Sequence, residues 1–62
     1  MKENVFRKQW KKQIRHWDIM KLQEMKGNLF ENGKSATTQQ EVLEIDIMIE
    51  EVNKCIEKFR TH

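Results

Sequence analysis

Asp46 lies within Leu43-Glu44-Ile45-Asp46-Ile47-Met48-Ile49, an unusually apolar stretch for this sequence. A carboxylate there is either an edge residue of a helical stripe or a group presented to a partner. Glu44 and Asp46 do not share a helical face, so they form no acid–base dyad. Cys55 and His16 come roughly level if the chain folds back on itself as an antiparallel hairpin. Two ligands do not make a zinc site, and His62 is a poor third, so no metal is expected. A nucleophilic Cys–His pair needs a pocket that two helices do not form alone, and Cys55 reads as a small core residue. Trp10 and Trp17 could be platforms for bases or anchors for a lipid surface, but on an apolar helical face they read first as core. Opposite them run Arg7, Lys8, Lys11, Lys12 and Arg15, a basic face that suits a phosphate backbone or an anionic surface. Its plainer reading is a solvated face, since the net charge is only +2.

These residues must be positioned by helices. The chain has no proline, 35% charged residues and 37% hydrophobic ones, a helical composition. Phe6, Trp10, Ile14 and Trp17 recur at steps of three or four and stack on one face. Beyond Trp17 the apolar stripe drifts to Leu22, Met25 and Leu29, as in a helix that serves two neighbours. A first helix is predicted over about 5–31, with Asn4 as N-cap and Gly33 in the left-handed position that ends it. Gly27 is an alternative end, rejected because Leu29 and Phe30 would then lie bare. A loop follows over about 32–37, and Thr38-Gln-Gln-Glu41 is a capping box for a second helix over about 39–60. That helix carries Val42, Ile45, Met48, Ile49, Val52, Cys55, Ile56 and Phe59 on one broad stripe, with Leu43 and Ile47 on the opposite side.

A helix apolar nearly all round is a buried helix, and a lone hairpin cannot cover its far side. The expected fold is therefore all-α, an antiparallel two-helix hairpin completed as a dimeric four-helix bundle. At 62 residues the chain is one domain, too short for a Rossmann unit or a two-domain enzyme cleft. One cysteine excludes an internal disulfide. The charged N-terminal run has no apolar segment after it, which argues against a signal peptide. No apolar run approaches the ~20 residues of a membrane span. The expected setting is cytoplasmic. Lys2, Arg7, Lys8, Lys11, Lys12 and Arg15 face only Glu3 in the first sixteen residues, whereas Glu41, Glu44, Asp46, Glu50 and Glu51 cluster without a base. An antiparallel hairpin brings the basic start beside Lys54, Lys58 and Arg60, and two polarised hairpins would pair head to tail.

Asn32-Gly33, Thr37 or Thr38, and then Val42-Leu43-Glu44-Ile45-Asp46-Ile47-Met48-Ile49 resemble a known layout. The chain looks like the Spo-zero-E-like aspartyl-phosphate phosphatases of spore-forming bacteria. These are short helical hairpins whose second helix carries Ser-Gln-Glu-Leu-Asp followed by apolar residues. Glu44, Ile45 and Asp46 match the Glu-aliphatic-Asp core, while Val42 and Leu43 replace the Ser-Gln pair. The first helix is also longer than usual there and carries two Trp.

The resemblance implies docking on a phosphorylated response regulator, with Asp46 positioning the water that attacks the aspartyl phosphate. The regulator's own metal and carboxylates would complete the chemistry, so no cofactor of its own is implied. Leu43, Glu44, Ile47 and Glu50 would form the partner-binding set beside Asp46. The leading expectation is a small regulatory protein acting by protein–protein binding, possessing phosphatase action if the resemblance extends to chemistry. The alternatives are nucleic-acid or anionic-surface binding through the basic face, and a small helical chaperone covering a partner helix.

Overall fold

The computed structural model describes residues 2–60. Three α-helices follow one another: α1 (Lys2–Ile14), α2 (Ile19–Ser35) and α3 (Gln39–Arg60). The all-helical class is as expected, but the single helix over 5–31 is in fact two. The break falls at residues 15–18. The Trp17 N–H donates to the Ile14 carbonyl at 3.0 Å, a tightened last turn that closes α1. Asp18 then takes an extended backbone (φ −78°, ψ 173°), and its Oδ1 accepts the Lys21 N–H at 2.9 Å. This is an N-cap, and it starts a new helix in a new direction. The drifting stripe has the same cause: Trp10 and Ile14 belong to one helix, and Leu22, Met25 and Leu29 to another. Asn4 lies inside α1 rather than capping it.

The far end of α2 is also corrected. Helix continues through Asn32 and Gly33 to Ser35, and neither glycine has a positive φ. The connection shrinks to residues 36–38, where the Ala36 N–H reaches the Gly33 carbonyl at 3.4 Å. Thr38 Oγ1 accepts the Glu41 N–H at 3.2 Å, as the capping box requires. The Glu41 carboxylate reaches back one residue further, to the Thr37 N–H at 3.2 Å. The second predicted helix matches α3 at both ends.

With so short a connection α2 and α3 run antiparallel, and this hairpin holds most of the core. Leu22 and Leu29 of α2 and Val52 and Ile56 of α3 are buried together with Trp10 and Ile14 of α1. Fully burying each such aliphatic side chain is worth ~1.5–3 kcal/mol. α1 and α2 each lie against α3 far more than against each other. The uncovered far side of α3 is thus covered in part by the chain itself. Ile47 is only 4% exposed and sits one turn before Glu51, which faces α1. The hairpin expected from the sequence had no third helix to do this, and called on a second copy instead. Leu43, on the same side, stays 45% exposed. Among the described residues no helix is long and apolar enough to cross a membrane.

Candidate functional site

Lys8, Lys11 and Lys12 share one face of α1, and Arg15 continues that face in the turn just past its end. Lys54 and Lys58 likewise share one face of α3. α1 lies along α3 so that the two sets line one open groove of about 680 Å³, with Glu51 and Cys55 also in its lining. The approach of the basic segment to Lys54 and Lys58 was legible in the sequence, but its direction was not. Because the chain turns at residues 15–18, contacts advance together along both helices: Arg7 meets Glu50 and Glu51, and Arg15 shares the groove with Lys58. The acidic cluster and the basic face therefore meet within one chain rather than lying at opposite ends.

Glu51 organises the groove. It is 1% exposed, its carboxylate accepts from Arg7 and from Lys54 at 3.3 Å, and Lys11 Nζ stands 3.9 Å away as a looser ion pair. A buried carboxylate is tolerable only when it is partnered in this way. Arg7 also donates to Glu50 Oε1 at 3.1 Å, which Lys54 approaches at 3.3 Å. The hydrogen bond from Arg7, followed by that from Lys54, holds the Glu50 carboxyl below the usual carboxylate range. Lys54 is held above its ordinary value, first by Glu50 and then by Glu51. Arg7 is pushed further up by Glu51 and then Glu50. The two acids are thus saturated locally. Lys8 and Lys12 meet no described carboxylate, and Arg15 Nε donates to His16 Nε2 at 3.4 Å rather than to a described acid. The lining of the groove keeps a surplus of positive charge, carried by Lys8, Lys12 and Arg15 on the α1 side.

Trp10 is a core residue, as read from the sequence. Its Nε1 donates to the Met48 carbonyl at 3.1 Å, pinning α1 to α3. Trp17 packs against it edge-on, with ring centroids 5.8 Å apart, and Lys21 Nζ lies 4.7 Å from the Trp17 centroid. At the Arg15–Lys58 end the groove runs into a smaller pocket of about 230 Å³, where Trp17 and Phe59 join Ile14 and Leu22.

The remaining sequence candidates are scattered. Asp46 is exposed on α3 and makes no hydrogen bond or ion pair with a described residue. Of its proposed companions, Leu43 is exposed and Glu50 is tied to Arg7 and Lys54. Glu44 accepts from Gln40 at 2.9 Å, and Ile47 is buried by the fold. His16 lies in the link after α1, and Cys55 is half-buried and free. Among the described residues no three potential ligands gather for a metal, and His62 lies outside them. Two residues that matter were passed over. Asp18 carries the N-cap signal itself, and Glu51 stands one turn from both Ile47 and Cys55, on a side of the helix that the fold buries.

The chain matches no protein-family model, no curated protein and no solved structure.

Proposed function

We propose that the chain is a small helical binding module that holds the phosphate backbone of a nucleic acid in the groove between α1 and α3. One observation carries this reading. Six cations from segments about forty residues apart converge on one open concavity and outnumber the one carboxylate in its lining, Glu51, which pairs with Lys11 and Lys54 among them. Local field rather than net charge draws a polyanion, so the overall +2 is no obstacle. Cations on both walls of a concavity suit a strand that lies between them better than they suit a flat lipid surface.

The test is fluorescence anisotropy of a labelled oligonucleotide across a salt series. Affinity should fall steeply with salt, with a log–log slope of ~−0.7 for each phosphate engaged on a single strand. Charge reversal of Lys8, Lys11 and Lys12 together should abolish binding and flatten the slope. An affinity indifferent to salt would rule the groove out.

The regulatory reading keeps one observation in its favour. Asp46 is exposed, with no partner among the described residues, beside the exposed Val42 and Leu43, as a residue offered to a phosphorylated response regulator would be. Here Asp46→Ala should lengthen the life of the regulator's acyl phosphate relative to the wild-type protein, and an unchanged lifetime removes the reading. The same open Leu43 is where a second copy would add cover. Sedimentation of Leu43→Asp against wild type tests that dimer.

A further inference from the structure

The pocket at the Arg15–Lys58 end of the groove has no part in holding a phosphate backbone, and its chemistry is different. Arg15, Cys55 and Lys58 line both concavities, so the two are continuous. Past them the walls are apolar and aromatic. Trp17 is a fixed wall, with Trp10 edge-on to it and Lys21 over its ring. Phe59 is different: it is the last member of the apolar stripe of α3, yet it is 50% exposed, leaving much of its side chain open. An open aromatic next to a row of cations is the pairing by which proteins hold unpaired bases, phosphates on the charges and a base on the ring.

We infer that this pocket takes one unpaired nucleobase stacked on Phe59, so that the ligand of the groove is single-stranded. The inference rests on the groove reading and narrows it. A duplex keeps its bases paired inside and has no ring to offer the pocket, whereas a single strand lays its phosphates along the cations of the groove and turns a base into the pocket. At about 230 Å³ the pocket admits a flat ring and not a base pair with its backbones.

Three probes separate the two readings: oligothymidylate, the corresponding duplex and inorganic polyphosphate, which has the charge but no base. Wild-type protein should prefer the single strand to both others. Phe59→Ala should weaken oligothymidylate by about five- to 150-fold, the worth of one stacked base, and leave polyphosphate affinity and the salt slope unchanged. Phe59→Leu, which keeps apolar bulk in the pocket wall, should behave like Phe59→Ala, and Phe59→Tyr like wild type. Circular dichroism of each variant shows whether the helices are intact.

Polyphosphate binding that depends on Lys8, Lys11 and Lys12, together with oligothymidylate binding indifferent to Phe59, overturns the base pocket and leaves the groove standing. Duplex bound as tightly as single strand does the same. Failure of all three probes removes both readings, as does tighter binding of polyglutamate, which would make the partner an acidic protein.

Discussion

The two seams of α3 are built from opposite materials. Against α2 it presents Val52 and Ile56 to Leu22 and Leu29, a dry contact with no ion pair across it among the described residues. Against α1 it presents Glu50, Glu51 and Lys54 to Arg7 and Lys11, with Trp10 bonded to the Met48 carbonyl. The apolar seam supplies stability without direction, since burial is worth the same however the side chains are turned. The charged seam adds little net stability, because the Glu50 pairs are open to solvent and at the buried Glu51 the cost of desolvation offsets much of the attraction. It does fix where the cations of α1 stand. One helix therefore holds the fold with one side and arranges a charged surface with the other.

The sharpest way to break that comparison is to damage the apolar seam. Leu22 is fully buried in the core. Leu22→Ala should cost ~2–5 kcal/mol, the usual loss when a buried leucine leaves a cavity. A domain of this size has only a few kcal/mol of stability in hand, so the variant should be largely unfolded at room temperature by far-ultraviolet circular dichroism. A cooperative melt close to that of wild type would mean that α2 is not the main support of α3.

Glu51 is the corresponding lever on the charged seam. Glu51→Gln keeps the shape and an acceptor but takes a buried negative charge from between Arg7, Lys11 and Lys54. Those three cations can turn to water, which limits the loss to roughly 1–2 kcal/mol. The same change leaves the groove more positive, so affinity for a polyanion at low salt should rise while the melting temperature falls. Opposite movement of the two quantities is specific to this seam. A parallel fall in both would show that Glu51 holds the binding surface together rather than balancing its charge.

Asp18 joins the two regions, because its cap lets the chain turn between α1 and α2. Asp18→Ala removes the acceptor for the Lys21 N–H and should cost ~1 kcal/mol, whereas Asp18→Asn should be nearly silent. Hydrogen exchange should place the loosening in the first turn of α2 and the packing of α1. Loosening confined to the α2–α3 connection would make this cap irrelevant to the docking of α1.

What was legible in the sequence follows the same division. The apolar seam could be read because helical periodicity reports burial directly, which is why α3 and the Thr38 cap were found at their true positions. The turn at residues 15–18 was hidden because Phe6, Trp10, Ile14 and Trp17 keep helical spacing across it. Trp17 satisfies that spacing while lying beyond the end of α1. A capping aspartate with no proline or glycine beside it is a weak signal against such a stripe. Once the turn is missed the sense of α1 relative to α3 is reversed, and with it every charge pairing. Glu51 stood in the sequence only as one member of an acidic cluster for that reason: without α1 alongside, nothing buries it.

The smallest expected effect is on pH dependence, and it belongs to the charged seam alone. Glu50 lies below its ordinary value of 4.5, chiefly through the hydrogen bond from Arg7 and then that from Lys54. A carboxylate depressed by folding contributes stability that is fully present above 4.5 and is lost as pH falls through the lower folded value. Lys54 is raised from 10.5 by Glu50 and then Glu51, so its share is complete below 10.5 and is lost as pH climbs through the higher folded value. The melting temperature should therefore be level between those limits and decline gently on either side. Both side chains are about half exposed, and added salt should flatten both limbs. Glu50→Gln should remove part of the acid limb and leave the apolar seam, which has no titrating group in it, untouched. An acid limb identical in wild type and Glu50→Gln would place the sensitivity in other carboxylates, and the contrast between the two seams would then not extend to their response to protons.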